Sequence, residues 1–371
     1  MIKEKAHIII SGGGTGGHVF PAISIANAVK KRIPDAEILF VGARGKLEME
    51  KVPAAGYKII GLHIAGFQRS LSLKNLSFFF KLWKSLRLSR KIIRQFNPDV
   101  VVGVGGYASG PLLYKANKAG IPTLIQEQNS YAGITNKLLA KNASIICTAY
   151  DGMEKYFPAS KIVLTGNPVR DDLVDLKTSQ EEAKHFFGLE KDKKMILVIG
   201  GSLGARTINR SIQKQLRNML KRDVQWLWQT GKLYYDESKA ILSGIPTNQI
   251  LVKDFIKRMD MAYAAADLII SRAGAGTISE LSIVGKPVIL VPSPNVAEDH
   301  QTKNARALAI NKAAIMVKDQ DAEDELVDQA FKIIDNNDLQ QKLSGQIKKF
   351  ALPNAADDIA KHINSLIENR S

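Results

Sequence analysis

A short apolar run, His7-Ile-Ile-Ile10, breaks into the glycine stretch Ser11-Gly-Gly-Gly-Thr-Gly-Gly-His-Val-Phe-Pro21 and then into a helix-like segment over 22–31. The same order returns at Met195-Ile-Leu-Val-Ile-Gly-Gly-Ser, again a buried strand pattern feeding a glycine loop and a helix. Few folds tolerate this alternation. Short apolar runs ended by Gly, Pro or polar residues fall at 7–11, 37–41, 58–62, 100–104, 122–126, 144–148 and 161–164, with helix-like stretches between them. A second set falls at 195–199, 225–229, 250–253, 268–271, 288–291 and 313–317. Strands of that length, apolar throughout and separated by helices, form parallel sheets covered on both faces. The expectation is an α/β chain of two doubly wound domains in tandem. A Gly and an Asn-Pro in Thr165-Gly-Asn-Pro-Val-Arg170 mark the boundary. The domains are therefore expected at 1–168 and 169–350. An amphipathic helix over 351–371, set off by Pro353, is free to pack on either one.

Glycine at the carboxyl end of a strand lets backbone N–H groups approach a phosphate with no Cβ in the way. Four such loops are expected: Gly12–His18, Gly103–Pro111, Gly200–Arg206 and Ser271–Glu280. Two lie in each half, so the working picture is a cleft with diphosphate sites on both walls. Gly12, Gly14 and Gly17 also fit the G-x-G-x-x-G dinucleotide pattern, which calls for an acid at the end of the second strand. That strand runs into Gly42-Ala-Arg44-Gly45 instead. Arg44 suits a 2′-phosphate, which keeps an NADP-dependent oxidoreductase open as an alternative. No glycine loop ends in Gly-Lys-Ser/Thr, which excludes a P-loop.

Charge narrows the partners. Lys and Arg number 52 against 36 Asp and Glu, a net +16, which points to nucleic acid, an anionic membrane or a polyanionic substrate. The charge is clustered. Residues 71–96 carry Lys74, Lys81, Lys84, Arg87, Arg90, Lys91 and Arg94 with no acid, interleaved with Leu76, Phe78, Phe79, Phe80, Trp83 and Leu86. On a helix, 76, 79, 80 and 83 share a face that continues through 87, 90 and 94. An aromatic stripe turning basic suits a headgroup region of anionic lipid. The same segment also fits a core helix with 82, 86, 89, 93 and 96 buried and its basic residues in water. A non-catalytic basic binder of nucleic acid or membrane is a second alternative. No apolar run approaches the roughly 20 residues of a membrane-spanning helix. Met1–Ala6 shows no signal-peptide pattern, and the single cysteine, Cys147, allows no internal disulfide.

Several side chains stand where chemistry is expected. Glu280, a turn into a helix opening near Gly276-Thr277, can accept both hydroxyls of a ribose; it equally fits a carboxylate complementing the helix dipole. The proline-stiffened loop 292–301 and the amides of Gln126-Glu-Gln-Asn-Ser130 can read sugar hydroxyls. His18, at the mouth of a helix expected from near Pro21, fits a neutral general base or a structural histidine bonded to the loop backbone. Asp319-Gln-Asp321 has the D-x-D form of a metal site but reads as helix capping.

In order, Gly13-Gly-Thr-Gly-Gly-His-Val-Phe-Pro21, Val104-Gly-Gly-Tyr107, Glu127-Gln-Asn129, Gly166-Asn-Pro-Val-Arg170, Gly200-Gly-Ser-Leu-Gly-Ala205, Ser271-Arg-Ala-Gly-Ala275 with Glu280, and His300-Gln301 resemble the MurG family. These are the UDP-N-acetylglucosamine:lipid I N-acetylglucosaminyltransferases of peptidoglycan synthesis. The resemblance implies a GT-B glycosyltransferase, two Rossmann-like domains facing across a cleft, inverting at the anomeric carbon. It implies a donor site of Ile256, Ala275, Gly276, Thr277 and Glu280 for uridine and ribose, with Arg170 and Ser202 on the diphosphate. Asn129 and Gln301 would read GlcNAc hydroxyls, and Thr15, Gly16 and Gly17 would face the reacting sugar. Gly13, Gly14, Gly105, Gly106 and Tyr107 would meet the acceptor, with His18 taking the proton from its 4-hydroxyl. Leu76, Phe79, Phe80, Trp83, Lys84 and Arg87 would dock on the cytoplasmic membrane face, where a lipid-linked acceptor lies. The implied partners are UDP-GlcNAc, lipid I and an anionic membrane, with no nucleic acid. No metal or other cofactor is obligatory, since helix starts and Arg170 can meet the UDP charge.

Overall fold

A computed structural model describes residues 5–64, 74–174, 177–201, 203–245, 247–296 and 299–370. The backbone divides into two units, Met1–Val169 with Leu352–Ser371, and Arg170–Ala351.

The first unit holds seven strands: β1 (His7–Ser11), β2 (Glu37–Ala43), β3 (Lys58–Leu62), β4 (Val100–Gly103), β5 (Thr123–Glu127), β6 (Ile145–Thr148) and β7 (Ile162–Leu164). They form one sheet in the order β3-β2-β1-β4-β5-β6-β7, with every pairing parallel. The second unit holds β8 (Lys194–Ile199), β9 (Val224–Gln229), β10 (Ile250–Lys253), β11 (Leu268–Ser271), β12 (Val288–Leu290) and β13 (Ile315–Met316). Their order, β10-β9-β8-β11-β12-β13, repeats the first six positions of the other sheet, and all pairings are again parallel. The expected strands are present to within a residue or two at each end. The largest change is at 313–317, where only Ile315–Met316 pair at the sheet edge.

Alternation along each strand explains the two-sided core. In the first unit Ile9, Val101 and Ile125 face the helices Lys74–Phe96 and Ser109–Lys118. Ile8, Ile10, Val100, Val102 and Leu124 face the opposite way, onto the helix Gly16–Arg32. That second face is completed from the far end of the chain. Ile359, Ala360 and Ile363 of the helix Ala355–Glu368 are buried in it, each isoleucine contributing about 1.5–3 kcal/mol of burial. Arg32 pairs with Asp357 at 2.7 Å, and Arg370 Nη1 donates to the carbonyls of Pro98 and Asp99. The unit that opens the chain is thus closed by its last helix.

In the second unit Trp226 and Trp228 fill the core beside Ile208, Ile212 and Phe331. The Trp228 indole N–H donates to Asn209 Oδ1 at 3.0 Å, so its one polar atom is satisfied.

Cys147 lies fully buried in β6, and burial pushes its thiol up to about 12. The expected outcome is no alkylation by iodoacetamide at pH 8 in the native protein and one modification once unfolded, read by intact mass.

Candidate functional site

Each sheet grows outward in both directions from its first strand, so strand order reverses between β1 and β4 and between β8 and β11. At such a reversal the following loops diverge and leave a crevice at the carboxyl edge, where ligands bind in open α/β sheets. The four glycine loops of the sequence are the four loops leaving these strands.

In the first unit the loop after β1 enters the helix Gly16–Arg32, with Thr15 extended at its N-cap (φ −143°, ψ 162°). The Thr15 carbonyl accepts from the amides of His18 and Val19, so the helix begins five residues before Pro21 and holds His18 in its first turn. This corrects the expected start. Glycine can occupy N1, and the next two amides need no intrahelical acceptor. Thr15 and Gly17 are exposed at the loop rim and Gly16 is half-buried.

His18 Nδ1 is 3.1 Å from the Gly13 carbonyl and 3.4 Å from Thr15 Oγ1. The loop after β4 presses against it. Gly105 and Gly106 have φ of +91° and +85°, and a Cβ on Gly105 would lie 2.7 Å from the His18 ring. A Cβ on Gly106 would lie 2.4 Å from the Gly13 carbonyl oxygen. Ser109 Oγ ties the two loops together through the carbonyls of Ser11 (2.9 Å) and Gly105 (2.8 Å). Tyr107 stands exposed at the tip.

One residue here carried no signal in the sequence. Glu48 is fully buried; its carboxylate accepts from the amides of Ala43 and Gly14, each at 2.8 Å. Gly13 and Gly42 make room for it, since a Cβ on either would collide with the Glu48 side chain. The Gly14 amide is therefore committed to the Glu48 carboxylate and not to a ligand phosphate, which reduces the phosphate cradle expected of this loop.

Beside these loops the stretch after β5 is anchored from within. Glu127 accepts from the amide of Gly133 (3.0 Å), the amide of Asn129 (3.1 Å) and Asn136 Nδ2 (2.8 Å). Burial pushes its carboxyl above the usual range, against the lowering effect of those donors. Asn129 is half-buried at the rim of this network. Gln126, Gln128 and Asn167 form a buried amide chain that reaches the Val104 carbonyl and joins the loops after β4, β5 and β7.

In the second unit the loop after β11 enters the helix Ala275–Val284, with Gly274 extended at its N-cap. Ala275, Gly276 and Thr277 form its first turn, where there is no acid. Glu280 lies in the second turn, past the reach of a dipole-complementing carboxylate. It is oriented instead by side chains. The Tyr263 hydroxyl donates to Glu280 Oε2 at 3.0 Å, and Arg170 Nε is 3.9 Å from Oε1. Burial, and then the Glu280 charge, hold the Tyr263 hydroxyl protonated well above its usual range. Ile256 is buried, with its amide donating to Gln229 Oε1 at 3.2 Å. Gln301 Oε1 accepts from the amides of Ala273 (3.3 Å) and Ser293 (2.9 Å), which ties the loops after β11 and β12 and commits its oxygen to structure. Ser202 lies outside the described residues.

Asp319 is not a cap. It accepts from Arg272 Nη1 and from Thr207 Oγ1 (2.8 Å), while the same Arg272 nitrogen donates to the Val291 carbonyl at 3.0 Å. Neither Asp319 nor Asp321 caps a helix with its side chain. A partly buried arginine here needs a carboxylate partner, and Asp319 supplies it. Arg44 donates to the Gly61 carbonyl at 3.1 Å from an exposed position.

On the helix Lys74–Phe96, Ser85, Ser89, Ile92 and Ile93 are buried, whereas Phe80, Trp83, Arg87, Arg90 and Arg94 are exposed along the stripe expected from helical spacing. Phe80 and Trp83 are 57% and 49% exposed and stack on each other at 6.2 Å. Lys84 Nζ lies 4.5 Å from the Phe80 ring centre and the Arg87 guanidinium 4.2 Å from that of Trp83. The side chains of Leu76 and Phe79 lie outside the described residues.

The glycosyltransferase family 28 N-terminal domain matches residues 8–148 and its C-terminal domain residues 195–361. A UDP-N-acetylglucosamine--N-acetylmuramyl-(pentapeptide) pyrophosphoryl-undecaprenol N-acetylglucosamine transferase of Parabacteroides distasonis is 60% identical, covering 99% of this chain and 100% of its own. The enzyme of the same name from Bacteroides fragilis is 58% identical, covering 98% and 97%. The crystal structure of Acinetobacter baumannii MurG superposes with a TM-score of 0.81 at 30% identity, covering 97% and 99%.

The clamp on the Gly13 carbonyl can be tested directly. Gly106→Ala combines a left-handed φ with a backbone clash, and a loss of about 2 kcal/mol or more is expected in urea unfolding. Gly120→Ala, also at positive φ but with no atom within 4 Å of its Cβ, is expected to lose less.

Proposed function

The chain belongs to the UDP-N-acetylglucosamine--N-acetylmuramyl-(pentapeptide) pyrophosphoryl-undecaprenol N-acetylglucosamine transferases, and from that membership we propose how its residues divide the reaction. It is a UDP-GlcNAc-dependent N-acetylglucosaminyltransferase that converts lipid I to lipid II. The observation that carries this is identity of 60% across 99% of the chain. The oxidoreductase and the non-catalytic binder have no comparable support.

The second unit takes the donor. Glu280, held by Tyr263, accepts the ribose hydroxyls of UDP-GlcNAc, and uracil lies near Ile256. The helix start at Ala275, Gly276 and Thr277, together with Arg170 and Ser202, meets the diphosphate charge. That set neutralises the leaving UDP without a divalent cation. Gln301, through its amide nitrogen, and Asn129 read the GlcNAc hydroxyls.

The first unit takes the acceptor. Gly13, Gly14, Gly105, Gly106 and Tyr107 border the acceptor, and Thr15, Gly16 and Gly17 border the reacting sugar. His18 accepts the proton of the MurNAc 4-hydroxyl as that oxygen bonds to the anomeric carbon from the face opposite UDP. The bond to the β-phosphate oxygen breaks, and the configuration inverts. An inverting transfer needs one base and a stabilised leaving group, with no carboxylate nucleophile.

An undecaprenyl-linked acceptor stays in its membrane, so the enzyme works at that surface, on the cytoplasmic side where UDP-GlcNAc is available. No helix among the described residues is long and apolar enough to cross a membrane. Phe80 and Trp83 enter the headgroup layer, with Lys84 and Arg87 on anionic lipid at about 1 kcal/mol per cation. Leu76 and Phe79 extend the stripe by their spacing, and nucleic acid is not a partner.

The test is UDP release with a lipid I analogue as acceptor, in EDTA. Turnover is expected there, and its strict dependence on added Mg2+ would contradict the cation-free reading. His18→Ala should lower turnover by about 10²–10⁴-fold while UDP-GlcNAc still raises the melting temperature; unchanged turnover would remove His18 as the base. Replacing Phe80 and Trp83 by Ser should weaken co-sedimentation with vesicles containing phosphatidylglycerol. Undiminished binding would place membrane contact elsewhere.

A further inference from the structure

The Gly13–Gly14 peptide is bonded on both sides. Its N–H, that of Gly14, donates to the Glu48 carboxylate at 2.8 Å. Its carbonyl, that of Gly13, is 3.1 Å from His18 Nδ1. A carbonyl oxygen can only accept, so in the neutral ring the proton sits on Nδ1 and Nε2 carries the lone pair. We propose that Glu48 is a positioning residue for His18, acting through this one peptide unit. In the more familiar arrangement a carboxylate touches the imidazole directly and fixes its tautomer. Here a peptide is inserted between them.

Three observations support the relay. Glu48 is fully buried in a polar stretch of sequence, and both its oxygens are spent on backbone amides, Ala43 and Gly14. Nothing else in the proposed reaction uses it. The peptide is also held rigidly. Gly13 lies against the carboxylate on one side and the backbone of Gly106 on the other, with room for a Cβ on neither residue. Finally, bonds in series polarise one another. A negative charge on the N–H of an amide draws electron density toward its carbonyl oxygen and makes that oxygen a better acceptor for the Nδ1 proton. The device fixes which nitrogen of His18 can receive a proton, without placing a carboxylate where an anionic substrate must bind.

The proposal rests on His18 being the base, and the test separates the two. The full-length protein is labelled with 15N-histidine, and the His18 signals are assigned by difference against His18→Gln. Neutral His18 is expected to show a protonated Nδ1 and a pyridine-type Nε2. Glu48→Gln puts an NH2 against one of two amide donors; it should shift the ring toward the Nε2–H form. Its kcat should fall about tenfold, with KM for UDP-GlcNAc within about threefold of wild type. A wild-type His18 protonated on Nε2 overturns the relay, and that measurement needs no variant to fold. An unchanged Nδ1–H signature in folded Glu48→Gln overturns it as well. If the signature behaves as expected but His18→Gln keeps full turnover, the base assignment falls and, with it, the catalytic meaning of the relay.

Discussion

A parallel sheet that grows outward from its first strand must send the crossovers on one side of that strand to one face and those on the other side to the opposite face, and the loops leaving its two central strands then part. Everything of chemical interest in this chain follows from that constraint. It operates once between β1 and β4 and once between β8 and β11. Glycine is needed at both places because backbone, rather than side chains, has to approach the crevice. The rest of each unit keeps those loop backbones still.

The means differ between the units. In the first, two carboxylates and a serine are held chiefly by backbone, Glu48 by two amides, Ser109 by two carbonyls, and Glu127 by two amides and an asparagine, beside the amide chain of Gln126, Gln128 and Asn167. In the second, side chains bridge one another. Arg272 and Asp319 link the ends of β11 and β12 to the helix Arg206–Met219 through Thr207, and Tyr263 sets the carboxylate of Glu280. Desolvating these groups costs free energy unless each polar atom is met. Pre-formed sites are what that expenditure yields, because a loop already held in place loses little entropy when a ligand arrives.

Much of this was legible beforehand. Strand positions follow from short apolar runs closed by Gly or Pro, and the four glycine loops follow from the strands. The exposed face of Lys74–Phe96 follows from spacing alone, since Phe80, Trp83 and Arg87 fall on one side whatever the tertiary context. What could not be read had no local signature. Glu48 sits in Leu47-Glu-Met-Glu50, which reads as solvent-facing helix; its burial depends on two distant glycines lacking a Cβ. Asp319 reads as a cap because its partner, Arg272, is 47 residues away in sequence. The start of the helix Gly16–Arg32 was misjudged because Pro21 favours a first-turn position, whereas the Thr15 carbonyl had already collected its amides. The first two misses involve bonds between segments that only the folded sheet brings together; the third is a local bond that outweighs the preference of a proline.

The return of the helix Ala355–Glu368 to the first unit bears on how the polypeptide is made. Ile8, Ile10 and the helix Gly16–Arg32 leave a ribosome more than 300 residues before Ile359, Ala360 and Ile363, which seal the apolar surface they share. The intervening unit, Arg170–Ala351, has its own core and can collapse in between. Synthesis order and completion order are therefore inverted: the half made first is the half finished last. During translation it waits with that side of its sheet only partly covered, by the helix Gly16–Arg32, a period in which a chaperone has something to hold.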